Sequence, residues 1–249
     1  MDRINYKTKN YINLVASSPS VQERFYFYYL FKRLFDLIFA SIFLLIILPL
    51  LAILALLIKL DSPGPVIFSQ KRVGSKLVWK NGFVFWEQVD FTCYKFRTMI
   101  LNADSDLHKK FITAFINNDH AGMNQAQGKE SVDYKLENDP RITRVGKYLR
   151  KFSLDEFPQF WNVVKGEMSL VGPRPEVPYT VQQFEPWHYE RLNALPGITG
   201  LWQVYGRSRV TFDEMVKMDI EYTRNHSLWL DFKLILLTIP AVLSTKGAK

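Results

Sequence analysis

The feature that most restricts this chain is "LIFASIFLLIILPLLAILALLI", residues 37–58, which runs for 22 positions without a charge. At 1.5 Å per residue an apolar helix of this length reaches roughly 33 Å, enough to cross a hydrocarbon core of about 30 Å. The run lies too far from Met1 for a cleaved signal peptide. Pro49 sits near its middle, where proline lacks an N–H and its ring collides with the carbonyl four residues back. Basic residues flank both sides, Lys32 and Arg33 before it, Lys59, Lys71 and Arg72 after it. A spanning helix concentrates Lys and Arg at its cytoplasmic end, and here the bias chooses neither end. The expectation is a re-entrant hairpin over residues 34–60, bent at Pro49, with both flanks on one membrane face. Each arm would be about 15 Å long and reach half-way through the core. A straight spanning anchor is the alternative, since prolines are tolerated in spanning helices.

Outside this run the chain reads as a folded protein. Apolar residues make up 48% of it, which excludes disorder for most of its length. The formal charge of +8 suits an anionic membrane face, phosphorylated substrates or nucleic acid. Cys93 is the only cysteine, so no internal disulfide can form, and a reducing compartment fits. The four histidines, His108, His120, His188 and His226, lack metal-ligand spacing.

Residues 1–33 form an N-terminal segment whose end, "RFYFYYLFKR", has the aromatic and basic composition of a bilayer interface. After the apolar run, "DSPGP" is a stiff turn. "VIFSQKRV" and "DFTCYKFRTM" read as strands, and Asn81-Gly82 between them signals a β-hairpin. Helices are expected around "NADSDLHKKFITAFIN", "ITRVGKYLRKF", "FPQFWNVVKG" and "TFDEMVKMDIEYTRNH", and in "PYTVQQFEPWHYERLNAL" with a break at Pro186. "GMNQAQGKE" and "PGITGLWQVYGRS" read as loops, and the apolar tail "LWLDFKLILLTIPAVL" is too short to span. The fold class is therefore α+β and mostly α. A re-entrant membrane hairpin and amphipathic interfacial helices carry one domain over residues 61–249.

No G-x-x-x-x-G-K-[ST] loop, G-x-G-x-x-G or G-x-S-x-G is present. Bound phosphates would have to meet side-chain cations, helix N-termini or a metal. Lys95 and Arg97 alternate on one strand face. Arg141, Arg144, Lys147, Arg150 and Lys151 crowd ahead of an acidic pair, and Arg174 and Arg207 sit in Pro- and Gly-bounded loops. Arginine's planar fork suits phosphate oxygens. A solvated basic helix face, or one lying on anionic lipid, is the plainer account of the "RITRVGKYLRK" run.

The pair itself, Asp155-Glu156 in "KFSLDEFPQFW", also matches an S-x-x-E capping box. Pro158 favours a helix that starts nearer Asp155. Either way backbone donors at a helix start would keep a carboxylate ionised. Such a carboxylate can attack phosphorus, and its neighbour can share a Mg²⁺ with substrate phosphates.

With these residues in hand, the order "SPGPVIFSQKRVG", "YKFRTM", "DPRITRVGKYLRKFSLDEFPQFWNVVKGEMSLVGPRP" and "PGITGLWQVYGRS" after a proline-broken membrane helix resembles the bacterial sugar transferases, the monotopic phosphoglycosyl transferases, in their short form. The similarity runs from about Lys32 to Val242. It implies transfer of a sugar-1-phosphate from a UDP-sugar to undecaprenyl phosphate with release of UMP, a priming step of exopolysaccharide, capsule or O-antigen synthesis. It also implies a catalytic domain on the cytoplasmic face of the bacterial inner membrane, in contact with its lipid and not with nucleic acid. Asp155 would form a phosphosugar intermediate, and Glu156 would support it with Mg²⁺. Arg150 and Arg174 match the family's arginines, and Lys95, Arg97 and Arg207 are further candidates for substrate binding. Leu48 stands where a serine often precedes the hairpin proline, and residues 75–90 are longer than the pattern. A transferase that moves only the sugar and releases UDP is a second reading, and a membrane-anchored module for anionic lipid or nucleic acid a third. The sequence leaves open the sugar, the pathway and the oligomeric state, a homodimer included.

Overall fold

The computed structural model describes residues 13–14, 19–80, 83–103, 106–127, 139–206 and 210–243. They form a mostly helical α+β fold with small sheets and one long apolar helix near the N-terminus. That helix, α1 (Pro19–Asp61), contains the whole apolar run and begins well before it. From Tyr26 to Asp61 it is long and apolar enough to cross a membrane. Helical structure continues through Pro49. An apolar segment has few partners for its backbone other than its own, which keeps it helical despite one missing N–H.

A three-stranded antiparallel sheet follows, in the order β1 (Asn13–Leu14), β3 (Phe83–Phe96), β2 (Ile67–Lys80). Pairing between β2 and β3 runs without slippage from Ile67↔Phe96 to Lys80↔Phe83. The register leaves two residues for the turn, as expected, although Asn81 and Gly82 lie outside the described residues. Next come α2 (Asp106–Ile116) and α3 (His120–Gln127). The second occupies "HAGMNQAQ", part of which reads as loop. Asp119 supplies the missing start signal by accepting from Gly122 N at 2.9 Å, and burial of Met123 anchors the turn.

The C-terminal half of the chain begins with short pieces. These are α4 (Arg144–Lys151), a 3-10 turn at Leu154–Glu156, α5 (Gln159–Lys165), β4 (Ser169–Val171), α6 (Pro178–Val181) and a 3-10 run at Pro186–Leu192. Then follow β5 (Gly197–Thr199), α7 (Leu201–Tyr205), α8 (Phe212–Asn225) and α9 (Leu228–Leu243). The "PGITG" stretch is therefore a strand, where the sequence suggested a loop. β5 pairs in parallel with β4, and the two chains approach so closely that a Cβ on Gly172 would lie 2.1 Å from the carbonyl oxygen of Leu195. Only glycine permits that contact. On α9, Asp231 and Leu234 are buried while Trp229, Phe232, Leu236 and Ile239 face outward, the split expected of an interfacial helix.

α1 is attached to this body at both ends. Tyr29, Lys32, Asp36 and Ala40 are buried, and so are Leu54 and Ile58, whereas Leu45, Ile46 and Leu48 between them are 72%, 72% and 60% exposed. In the first arm Lys32 Nζ donates to Asp231 Oδ2 at 2.6 Å, and Arg33 donates to the carbonyls of Val163 and Val164. Asp36 accepts from Leu170 N. In the second arm Arg97 donates to the carbonyls of Ile58, Ser62 and Pro63, and Asp61 accepts from Val145 N. Arg97 thereby satisfies carbonyls that a helix end leaves unpaired.

The Lys32–Asp231 pair is almost fully buried, and Tyr28 and Tyr222 also donate to Asp231. Removing one member strands the other charge. Asp231→Leu should lower stability by about 3–5 kcal/mol, and Lys32→Met in the same chain should restore most of that loss. Denaturant midpoints of the detergent-solubilised protein check both.

Candidate active site

The acidic pair is delivered by an abrupt turn. α4 ends at Lys151, and Ser153 then adopts φ +55°, a left-handed conformation that costs a non-glycine residue about 1–2 kcal/mol. The 3-10 turn Leu154–Glu156 follows, and Pro158 occupies the cap position of α5, where its missing N–H does no harm. The S-x-x-E capping box does not form: Ser153 makes no side-chain cap. The Glu156 carboxylate that would close the box is held elsewhere.

Lys95 Nζ, from β3, donates to Glu156 Oε1 at 2.8 Å. Arg174 closes on the same carboxylate with both ends of its fork, Nη1 to Oε2 at 3.2 Å and Nη2 to Oε1. Burial opposes a charge on Glu156, but Arg174 and Lys95 outweigh it and hold this carboxyl far below the usual carboxylate range. Asp155 is different. It makes no side-chain hydrogen bond among the described residues, and burial and the Glu156 charge push its carboxyl up, against the pull of Lys95, Arg150 and Arg174. The sequence reading expected backbone donors at a helix start to keep a carboxylate ionised; Glu156 is held ionised by Arg174 and Lys95 instead. A three-residue turn offers too little backbone dipole, and side-chain cations set the charge instead.

Asn162 fixes the register between these parts. Fully buried on α5, it accepts from Tyr94 N at 3.1 Å and donates to Thr92 O at 2.7 Å, so it continues the β3 ladder with a side chain. That contact sets Lys95 against Glu156. Arg150, on α4, donates from Nε to Thr98 Oγ1 at 3.0 Å and faces Asp155. Of the sequence-predicted residues, Asp155, Glu156, Lys95, Arg150 and Arg174 therefore converge. Arg97 does not, because its guanidinium is used on the end of α1. Arg207 lies outside the described residues. On α4, Arg144, Lys147, Tyr148 and Lys151 are exposed.

The sequence reading missed the outer rim. Arg72 donates to Pro175 O at 3.0 Å, and His108 meets the hydroxyl of Tyr179 at 2.5 Å. Burial, helped by Arg72 and other nearby arginines, lowers His108 to about 4, so it is neutral at pH 7. No sequence signal pointed to these residues, because only packing of α2, β2 and α6 brings them together.

The sequence profile of the bacterial sugar transferases matches residues 27–245. The chain belongs to that family. It is 44% identical over 219 residues to the galactosyl transferase CpsE of Streptococcus agalactiae, covering 88% of this chain and 43% of that protein. It is 40% identical over 217 residues to the undecaprenyl-phosphate galactose phosphotransferase of Salmonella typhimurium, 87% of this chain and 41% of that one. With the exopolysaccharide production protein ExoY of Rhizobium meliloti it shares 39% identity over 217 residues, 87% of each chain. The chain thus spans less than half the length of the first two and most of the third.

For this sugar transferase the donor set also fits a hard cation. Among the described residues no group of three or more His, Cys, Asp or Glu surrounds a point. Mg²⁺, however, usually takes one or two carboxylates and fills its shell with water and substrate phosphates. Asp155 offers one carboxylate with no side-chain hydrogen bond among the described residues, while both oxygens of the adjacent Glu156 already accept from Lys95 and Arg174.

Because the folded-state pKa of Glu156 is depressed, its contribution to stability is present above its ordinary value near 4.3 and is lost as pH falls below that. The wild type should therefore lose more stability between about pH 5 and pH 3 than Glu156→Gln does. Urea midpoints across that range test it.

Proposed function

We propose that this sugar transferase moves a sugar-1-phosphate from a UDP-sugar to undecaprenyl phosphate, with Asp155 as nucleophile. The observation that carries the reading is an unbonded carboxylate, Asp155, set among three cations while its neighbour Glu156 holds two of them in place. A purely structural acidic pair would have both members bonded.

In the first step an Asp155 oxygen attacks the phosphorus bonded to the sugar. The P–O bond to the nucleotide breaks, and UMP leaves with the electron pair. In the second step an oxygen of undecaprenyl phosphate attacks the same phosphorus and Asp155 departs, which gives the lipid diphosphate sugar. Both steps bring an anion to an anion. Lys95, Arg150 and Arg174 offset that repulsion and orient the diphosphate, and the Arg174 fork is the best shaped for two phosphate oxygens. Mg²⁺, when bound, would be held by Asp155 and Glu156 and would neutralise phosphate charge. Burial that raises Asp155 also strips water from it, so the deprotonated form is a stronger nucleophile once the cations are in place.

The same reading makes α1 a re-entrant anchor at the cytoplasmic face of the inner membrane. What supports it is that charged residues of both arms are bonded to one body: Lys32, Arg33 and Asp36 before Pro49, Asp61 after it. A spanning helix would put one of those flanks across the bilayer. The exposed apolar stretch around Pro49 is then the part that enters lipid. In a Cys93→Ser background, cysteines at Asn10 and at Lys71 should both react with a membrane-impermeant thiol reagent only from the cytoplasmic side. Periplasmic labelling of the Asn10 site would restore a spanning anchor.

Chemistry is tested on purified protein with a panel of UDP-sugars. Without lipid acceptor the wild type should release about one equivalent of UMP and gain the mass of a sugar phosphate on the peptide holding Asp155. Asp155→Asn should lose several orders of magnitude in turnover with its fold intact. Release of UDP would instead establish transfer of the sugar alone, and turnover by Asp155→Asn would exclude covalent catalysis.

A further inference from the structure

The loop that carries Arg174 is held in an unusual way. Pro173 and Pro175 have no N–H, so the loop can be pinned chiefly through its carbonyls. All four successive carbonyls are in fact bonded. Pro173 O accepts from Gly197 N at 2.8 Å, Pro175 O from Arg72 Nη1 at 3.0 Å and Glu176 O from Val73 N at 2.8 Å. The carbonyl of Arg174 itself is held by Arg191, whose Nη2 lies 3.3 Å away.

Arg191 comes from the 3-10 run Pro186–Leu192 and has no exposed side-chain surface. Its Nη2 also donates to Asp219 Oδ2 on α8 at 2.5 Å, and its Nη1 to Glu176 Oε1 at 3.2 Å. The Phe184 ring packs beneath it, 5.8 Å from the guanidinium carbon. Nε of Arg191 and Oδ1 of Asp219 are buried without partners. Burial pushes the Asp219 carboxyl up to about 7 against the pull of Arg191, so desolvation consumes much of what the pair gains. Buried pairs of this kind are often replaceable by apolar residues without loss of stability. Core stability therefore does not account for the pair, whereas geometry does. A fork anchored on α8 reaches one backbone atom of the residue whose side chain clamps Glu156.

We infer that Arg191, anchored by Asp219, is a positioning residue that aims Arg174 at Glu156 and at the substrate phosphates. It touches no substrate and acts through the backbone of Arg174. The inference rests on the proposed function, since it assigns a role within that reaction.

A double-mutant cycle on UMP release in the presence of undecaprenyl phosphate tests it. Arg191→Lys keeps the charge and loses the fork, and turnover should fall about 30-fold, within the range that small misplacements of reacting groups produce. Arg174→Lys alone should cost about 100-fold or more. Joined, the two should fall no more than about threefold below Arg174→Lys, because Arg191 then has nothing left to aim. Independent effects would multiply to about 3,000-fold and would overturn the assignment, as would wild-type turnover by Arg191→Lys. Arg191→Met/Asp219→Leu/Glu176→Gln removes the arginine together with the charges of both carboxylates it holds, and should keep the wild-type melting temperature while losing turnover to the same extent. If neither variant folds, the pair serves the core and the assignment falls. Wild-type protein that releases no UMP would refute the proposed function, and this role with it.

Discussion

Everything at the centre of this protein depends on how two adjacent carboxylates share three cations. Two like charges on neighbouring residues repel, and in a partly buried turn that repulsion is poorly screened. The fold resolves the conflict by asymmetry. Glu156 receives Lys95 and both ends of the Arg174 fork, and Asp155 receives none of them directly. The bonded carboxylate is thereby a fixed part of the scaffold. Its neighbour keeps its oxygens free in the field of the same cations, which is what a reacting group requires.

That arrangement is continuous with the membrane helix. Phe157 follows Glu156 directly, and its ring meets Phe43 of the first arm at 5.6 Å. It also packs with the cluster of Leu54, Ile58, Phe96 and Leu149, which includes the second arm. Phe43 also packs against Phe160 of α5, with ring centroids 4.3 Å apart. The floor beneath the acidic pair is therefore made partly of α1. Asp155 lies two residues from this contact, so in the proposed reaction the packing of α1 would hold the nucleophile close to the anchor. Trp161 on α5 and Trp229 on α9, both well exposed, fit the aromatic residues that settle at such a surface.

The loops around the site gain their rigidity from close backbone approach and from carbonyl bonding rather than from long regular elements. Gly172 and Gly197 let β4 and β5 come together at the start of the Arg174 loop. Asn162 extends β3 into α5. Arg72 and Arg191 hold carbonyls from opposite sides. Arg97, which a sequence reading takes for a phosphate ligand, is likewise spent on backbone. Its neighbour two residues back, Lys95, reaches the site, while Arg97 lies just beyond the end of β3 and turns to the three carbonyls at the end of α1.

By itself the sequence determined the local and the strongly patterned features. An uncharged run of 22 residues pointed to an apolar membrane helix, read as bent back at Pro49 although helical structure runs through that proline, and Asn81-Gly82 between strand-forming residues pointed to a hairpin. An acidic pair beside Pro158 had to lie at a turn into a helix. These follow from interactions between residues a few positions apart, and a linear reading contains them. Its errors had the same origin: without the contacts of Asp119 and Met123, "GMNQAQ" reads as loop, and without a partner strand so does "PGITG". The tertiary structure alone decided which carboxylate is clamped and which is free. Lys95 and Glu156 lie 61 positions apart, Arg191 and Asp219 lie 28 apart, and Arg97 meets Ile58 across 39. No local pattern selects among so many cations. The choice is made by packing, which buries one set of partners together and leaves every other pairing out of reach.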